Sequence, residues 1–194
     1  MDRHIMIAVM FLFSVVCANV PAHAVEGAEY VGHSQCKICH NKKEEGEIWN
    51  IWSTKKHAKA YAMLGSPEAK EIGEKWGLSK SPQESPECLR CHVTAYNSEN
   101  DPPVPAKIAM KDGVQCEMCH GPASLHVKMK KDTTVDMSAH ITRPDESTCR
   151  KCHNEESPTW DPERYTSEDG TKSGFDFKQA WKKIEHVIPG KEKK

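Results

Sequence analysis

The sequence has little material for a conventional hydrophobic core. Only 37% of its 194 residues are hydrophobic and only 7% are aromatic, and the mean hydropathy is −0.71. The conformational entropy lost on folding has to be offset largely by buried apolar surface. The composition therefore predicts that the side chains alone do not form an adequate core.

The sequence also lacks a large excess of charge of either sign. Its 27 lysine and arginine residues nearly balance its 28 aspartate and glutamate residues, which gives a formal net charge of −1. The nearest approach to a block of one sign is the tail from Lys191 to Lys194, which has three lysines and one glutamate. Nucleic-acid binding requires a basic face, so the composition gives that function no support.

Long apolar runs are missing beyond the N-terminus. There, an apolar run over residues 5–16 follows Arg3, and Ala22-His23-Ala24 has the small-x-small form of a cleavage site. We therefore expect residues 1–24 to be a secretory signal peptide, cleaved after Ala24, and residues 25–194 to form one exported domain in the periplasm or outside the cell. Lipid attachment at Cys17 is disfavoured by Val16 before it, and an uncleaved anchor would be short for a membrane span.

Cysteine, in contrast, is plentiful and regularly placed. Eight of the nine cysteines fall in four C-x-x-C-H motifs, which is the attachment signature of haem c. Two thiols add to the two vinyl groups of the haem, and the histidine that follows supplies the proximal nitrogen to iron. We therefore predict four covalently bound haem c groups, attached through Cys36 and Cys39, Cys88 and Cys91, Cys116 and Cys119, and Cys149 and Cys152, with His40, His92, His120 and His153 as the proximal ligands.

Other uses of paired cysteines explain the pattern less well. Eight thiolates could make two zinc sites of four thiolates each, but zinc does not require a histidine after every pair. Thioredoxin-like redox chemistry and plain disulfides predict neither the fourfold repeat nor the histidine. Haem attachment accounts for all of these features, and porphyrins would add the apolar core that the side chains do not provide.

The pattern of the chain predicts a mostly α-helical fold with long loops and little β structure. We expect helices over residues 44–64, 66–76 and 176–188. The second of these begins with a Ser-Pro pair, which is typical of a helix N-terminus. Proline-rich and polar stretches separate the motifs, and the 21 residues after the fourth motif read as a surface loop. The fold should be one compact domain around the haems, so that the chain without haem is largely unfolded.

Five histidines outside the motifs and the signal peptide are candidates for the distal iron position: His33, His57, His126, His140 and His186. His126 is too close to His120 to fold back over the same haem, and it is better placed to reach a neighbouring one. His57 lies among alanines that allow a flat ring to approach. His186, counted along the predicted last helix, points away from that helix's apolar stripe.

The remaining candidates are less well defined by their context. His33 precedes the first motif by three residues, and His140 lies in a polar stretch before the fourth. Methionine is a competing distal ligand, but no methionine outside the signal peptide stands in a setting better than packing or exposure. Histidines are in excess, so bis-histidine ligation and low reduction potentials are favoured.

At these residues the chain resembles the tetrahaem cytochrome c-554 family. The likeness lies in "CKICH" followed by "HAKA", in "CLRCHV", in "GVQCEMCHGP" with a histidine soon after, in "CRKCH" with "SPTW", and in "FDFKQAWKKIEH". It implies a mostly helical fold organised around stacked haems, electron transfer, and distal ligation by His57, His126 and His186. It also implies a five-coordinate haem on the second motif, although His33 or His140 could close that position.

Three functions are compatible with these features. An electron carrier would pass single electrons between a quinol-oxidising complex or periplasmic oxidoreductase and a reductase or outer-surface cytochrome. An enzyme would use one open iron position on nitric oxide, hydroxylamine or nitrite. A subunit of an extracellular conductive filament would polymerise, with His33 as a candidate ligand to the next subunit. The carrier, which is not an enzyme, is the leading hypothesis.

Overall fold

The structure is a computed structural model that describes residues 27–129, 140–187 and 189, and these residues are mainly helical. The predicted signal peptide and the basic tail lie outside the described residues. No described helix has the length and apolar character needed to span a membrane. The α-helices of the described part are α1 (His33–His40), α2 (Ile48–Thr54), α3 (Ala60–Met63), α4 (Pro67–Lys75), α5 (Pro86–His92), α6 (Cys116–His120), α7 (Ser124–Met129), α8 (Glu146–Arg150) and α9 (Phe177–Ile184).

The β structure of the described part is one small hairpin. Strand β1 (Tyr165–Thr166) pairs antiparallel with β2 (Lys172–Ser173), and Tyr165 lies opposite Ser173. This hairpin lies within the stretch after the fourth motif that the sequence predicted to be a loop. The expectation of a mostly helical chain with little β structure is confirmed.

Each C-x-x-C-H motif lies on or just after a short helix. Helices α1, α5 and α6 end at the histidine of the first, second and third motif. In the fourth motif α8 ends at Arg150, and the second cysteine and the histidine follow in a turn. Helical spacing of three residues puts the two cysteines of a motif on one side of the chain, as attachment to one porphyrin requires.

The predicted helix over residues 44–64 is broken into short pieces. A 3-10 turn (Lys43–Glu45), α2, a second 3-10 turn (His57–Lys59) and α3 replace it. The chain becomes extended at Lys55 after α2. The segment forms hydrogen bonds to residues distant in the sequence instead of continuing the hydrogen bonds of a helix. The indole N–H of Trp52 donates to the carbonyl of Val114 at 2.9 Å, and the Val114 N–H donates to the carbonyl of His57 at 3.0 Å.

The helix predicted over residues 66–76 forms as expected. Ser66 is the N-cap of α4, its hydroxyl accepts from the N–H of Ala69 at 3.1 Å, and Pro67 occupies the first turn. The last helix is shorter than predicted. Helix α9 starts after the N-cap Asp176 and ends at Ile184, where Glu185 takes a non-helical conformation with ψ of 142°.

The side-chain core of the described part is small, with eight buried hydrophobic residues. Three of them, Leu64, Leu89 and Val93, form a cluster beside the second motif. Cys88 of the second motif packs against this cluster. The apolar interior built by side chains is therefore continuous with a predicted haem attachment point, in agreement with the low hydrophobic content of the sequence.

A buried carboxylate ties the N-terminal segment to the third motif. Glu117, inside that motif, accepts hydrogen bonds from the N–H groups of Val31, Gly32 and Ala123 at distances of 2.8 to 3.2 Å. Its side chain is 2% exposed. Three N–H donors satisfy the hydrogen-bonding capacity of this buried carboxylate, so Glu117 fixes the approach of the segment before α1 to α6.

Candidate haem-binding site

Six histidines from distant parts of the chain face one another in pairs. The ring centroids of His40 and His126 are 6.2 Å apart, and the rings are 15° from parallel. The corresponding distances are 6.1 Å for His57 and His153 and 5.9 Å for His120 and His186. Each pair joins the histidine of one motif to a histidine outside the motifs.

This separation matches two imidazoles on opposite sides of one metal ion. Iron or another metal holds a ligating imidazole nitrogen at about 2 Å, and the ring centre lies about 1 Å further out, so two opposed ligands have centroids about 6 Å apart. The paired histidines therefore fit bis-histidine haem ligation.

Burial keeps several of these imidazoles in the form that binds a metal. Burial is the main cause that lowers the pKa of His57, His120 and His153. A second cause is the neighbouring histidine, which is His92 for His57 and His57 for His153. These side chains are consequently neutral at pH 7 and carry the nitrogen lone pair that iron requires.

Two motif histidines are held by backbone carbonyls. The Nδ1–H of His92 donates to the carbonyl of Ala60 at 2.8 Å, and that of His120 donates to the carbonyl of Thr142 at 2.9 Å. Such a bond fixes the tautomer and leaves Nε2 as the metal-binding nitrogen. His92 differs from the other motif histidines because, within the described residues, no second imidazole faces its ring.

His126 lies opposite the first motif and not opposite its own. The sequence predicted this kind of placement, since six residues are too few to return from His120 over the same haem.

His186 shows where the sequence reasoning failed. Helix α9 ends at Ile184, so the helical wheel does not apply to His186, and its ring turns towards His120, with Nδ1 3.1 Å from the carbonyl of Ile184.

His33 is not brought to another histidine. Its Nδ1 accepts from the indole N–H of Trp49 at 3.1 Å, and its Nε2 lies 3.1 Å from a carboxylate oxygen of Asp112. The ring also packs at 5.0 Å from that of Trp52. Both nitrogens of His33 are therefore engaged by protein groups, and the structure offers no nitrogen of this residue to a haem.

His140 has the fewest described contacts of the five candidate distal ligands. It is half-buried and directly follows residues 130–139, which lie outside the described part. Its Nδ1 is buried without a hydrogen-bond partner in the described residues. No described imidazole faces it, so the geometry does not assign it to any of the four motifs.

Cysteines of different motifs lie close together and reveal which motifs are neighbours. The thiols of Cys36 and Cys116 are hydrogen-bonded, which joins the first motif to the third. Burial, with the neighbouring Cys149, raises the pKa of Cys119 to about 11, so the third motif adjoins the fourth. These pKa shifts belong to the free thiols, since thioether formation removes their protons.

The second motif adjoins the fourth in the same way. A hydrogen bond between Cys91 and Cys152 lowers the pKa of Cys91 to about 7 and raises that of Cys152. Together with the contacts above, the motifs are connected in the order second, fourth, third, first. This order could not be predicted from the sequence, along which the second and third motifs are separated by the fewest residues.

The alternative uses of cysteine find no geometric counterpart in the described residues. None of the eight described cysteines is paired in a disulfide. Among the described side chains, no three histidine, cysteine, aspartate or glutamate residues converge on a point where one metal ion would bind. A structural zinc site requires such a convergence of four ligands, whereas haem attachment requires the separated Cys-Cys-His units observed here.

Several residues around the site had no recognisable signal in the sequence. The carbonyls of Ala60 and Thr142 belong to the backbone, which no motif marks. Phe175 is 5% exposed and lies 5.4 Å from the ring of His153, at 20° from parallel. The apolar pattern could have marked Phe175 as buried, but its partner is 22 residues away and outside any helical repeat.

Four attachment motifs and three opposed histidine pairs define a multihaem c-type cytochrome. Residues 35–121 match the sequence profile of the family described as cytochrome c554 and c-prime. This match confirms, over these residues, the resemblance to that family seen in the sequence.

A curated relative of this chain is cytochrome c-554 of Nitrosomonas europaea. It is 30% identical over 97 residues, which are 49% of this chain and 39% of that protein. The matched region thus spans about two fifths of the relative's length. A solved structure of cytochrome c554 from the same organism, in its reduced state, also matches. The match covers 80% of this chain and 78% of the chain in that structure, with 23% identity and a TM-score of 0.44. The resemblance to the family therefore depends on the sequence match and not on this limited likeness of fold.

Proposed function

We propose that this chain is an exported cytochrome that carries single electrons through four covalently attached haems. Haem c supplies iron that exchanges one electron between its ferric and ferrous states. The chain's own residues attach the rings, set their spacing, provide axial nitrogens and limit the access of water. The match to the family supports haem c, while the number four is our proposal from the four motifs.

The observation that carries the proposal is the set of three opposed histidine pairs. We assign His126 as the distal ligand of the haem on the first motif, His186 on the third and His57 on the fourth. With haem bound, two nitrogen donors on each iron would leave no position for a substrate, so these three pairs suit electron transfer and not chemistry on a ligand. His33 is left out of this set because both of its nitrogens have protein partners.

The contacts between cysteines suggest the route of the electrons. Haems attached to these neighbouring cysteines would be close to one another, and we propose that electrons pass between the motifs in the order second, fourth, third and first. Electrons would enter at one end of this series and leave at the other, to redox proteins of the periplasm or the cell surface. Both the export of the chain and the identity of those partners are proposals.

The haem content and the spin state of the purified protein test this function. Mass spectrometry should give four haem masses per chain, and the ferric magnetic-resonance spectrum should show three low-spin centres. Protein that is colourless, or that contains zinc and no iron, would refute the proposal. Four haems with most centres high-spin would refute the assignment of the three distal histidines.

A second candidate function is supported by the environment of His92. Its Nε2 is left for iron by the bond to Ala60, and no described imidazole lies opposite, so the haem on the second motif would have an open position. A small nitrogen compound such as nitric oxide, hydroxylamine or nitrite could bind there. Addition of nitric oxide to the reduced protein should then change the spectrum of one haem, whereas an unchanged spectrum would leave only the carrier.

A third possibility, a subunit of an extracellular filament, has less support from the residues. The His33 nitrogens that would ligate the haem of the next subunit are held by Trp49 and Asp112. Electron microscopy of secreted material tests this possibility directly, and it would be excluded by finding only dispersed particles.

A further inference from the structure

One turn of the chain contacts the histidines of two different motifs. The ring of His57 lies opposite that of His153 in the fourth motif. Three residues later, the carbonyl of Ala60 accepts the Nδ1–H of His92 in the second motif at 2.8 Å. The turn is closed by its own hydrogen bond, from the N–H of Ala60 to the carbonyl of His57. Both contacts therefore come from one short, internally bonded unit.

The turn is also held from the outside by residues that follow the second motif. The carbonyl of His57 accepts the N–H of Val114, and the carbonyl of Gly113 accepts the N–H of Thr94, two residues after His92. These bonds close a ring of contacts that runs from His92 through Thr94, Gly113 and His57 to Ala60, and back to His92. Ala60 itself is 7% exposed, so the turn is packed on the protein side as well.

Gly113 allows the close approach on which this ring depends. Its φ is +65°, and a Cβ atom there would lie 2.7 Å from the carbonyl oxygen of His57 and 3.1 Å from the nitrogen of Ala60. Both atoms belong to the backbone, so they cannot move aside without displacing the turn. Only glycine fits here, because it lacks Cβ and tolerates a positive φ.

The consequence concerns the strength of two axial ligands. An Nδ1–H bond to a carbonyl makes an imidazole a stronger donor and fixes its orientation. A stronger donor favours ferric iron and lowers the reduction potential. A displacement of the turn would therefore change His92 through the carbonyl of Ala60 and, in the same movement, change the position of His57.

We propose that the turn from His57 to Ala60, positioned by Gly113, couples the haem centres of the second and fourth motifs. The inference rests on the proposed function. Gly113 and Ala60 are positioning residues, since neither touches a haem, and they act through His57 and His92. Because coupling between two sites is reciprocal, a change of ligation at either centre alters the other.

The test replaces Gly113 with alanine in the protein carrying its haems, with Gly77→Ala as the matched control. Gly77 has a φ of +67°, and nothing lies within 4 Å of the position of its missing Cβ. Both variants thus place a side chain at a positive φ, and only the Cβ atom of Gly113→Ala meets the backbone of the turn. Spectroelectrochemical titration should show two of the four reduction potentials rising in Gly113→Ala and none changing in Gly77→Ala. A shift of one potential or of none, with four haems attached, would overturn the inference while leaving the proposed function intact.

A second variant keeps the inference testable where Gly113→Ala binds fewer than four haems. His57→Ala removes the side chain that links the turn to iron. Added imidazole restores the low-spin state, but it is not covalently joined to the turn. Coupling through the turn predicts that the potential of the second-motif haem stays shifted after imidazole is added. Its return to the parent value would show that the two centres sense each other only through space and would overturn the inference.

Discussion

At the scale of the residue, an axial histidine is defined by what its two ring nitrogens face. His33 and His126 both lie within six residues of a C-x-x-C-H motif, and both were candidates by sequence. In the fold, the nitrogens of His33 are engaged by Trp49 and Asp112, while the ring of His126 stands 6.2 Å from that of His40. The difference depends on partners 16 to 86 positions away along the chain.

Replacement of His126 with alanine should convert one haem from low-spin to high-spin or water-ligated iron. The physical reason is that a methyl group cannot supply the nitrogen that opposes His40. Ferric magnetic resonance and visible absorption measure this change as the loss of one low-spin centre. Added imidazole should restore the parent spectrum, since it fills the space left by the missing ring.

His33→Ala is the matched control for that variant. It also removes an imidazole near a motif, but we expect four haems with the spin states of the parent protein. Asp112 loses its partner in this variant, so a modest loss of stability is expected on unfolding by denaturant. If His33→Ala produced a high-spin haem, or if His126→Ala did not, the ligand assignment would be wrong.

At the scale of the element, short helices depend on their caps more than long ones do. Helix α9 has eight residues, too few to be stable alone in water. Its N-cap Asp176 accepts the N–H of Gln179 at 2.9 Å, and this bond lowers the pKa of Asp176. The cap is therefore fully present above the usual pKa of aspartate and is lost as the pH falls through the lowered value.

Asp176→Ala should loosen α9 and increase the high-spin fraction of the haem on the third motif. The helix leads directly into the segment that carries His186, so a frayed helix holds that imidazole less firmly opposite His120. Ser66→Ala is the control, because it removes the cap of α4, which carries no candidate ligand. It should cost about 1 kcal/mol of unfolding free energy and leave every spin state unchanged. Equal spectra for the two variants would contradict the link between α9 and His186.

At the scale of the whole molecule, the protein part provides only a small apolar interior. The buried cluster of the described residues has three members, Leu64, Leu89 and Val93, and it lies against the second motif. A chain of this size ordinarily needs a much larger apolar interior to fold without a cofactor or disulfides. The four attachment motifs lie where porphyrins would complete that interior.

The chain produced without haem attachment should consequently be largely unfolded. Circular dichroism should show little helix, and heating should give no cooperative transition, whereas the protein with four haems should show both helix and a transition. The comparison uses the same sequence, expressed with and without the machinery that attaches haem c. A cooperative transition in the haem-free chain would mean that side chains alone suffice for the fold.

Much of the fold was predictable because its signals are local. The N-cap at Ser66 and the helix that follows it depend on a few adjacent residues, and so do the four motifs. The break in the predicted helix over residues 44–64 was not predictable, because it depends on bonds from Trp52 and His57 to Val114, more than 50 positions away. The end of α9 was missed because the amphipathic sequence pattern continues past Ile184, whereas the helical conformation of the backbone ends there.

The sequence by itself determined the four C-x-x-C-H motifs, the haem attachment that their cysteines and histidines predict, and the family that the chain resembles. These features are read within five adjacent residues, because covalent attachment requires two thiols and a nitrogen at fixed spacing. Only the tertiary structure decided which histidine faces which motif, which motifs are neighbours and why His33 is engaged elsewhere. These depend on distances across the fold, and a distance of about 6 Å between two imidazoles on one metal is set by packing and not by separation along the chain.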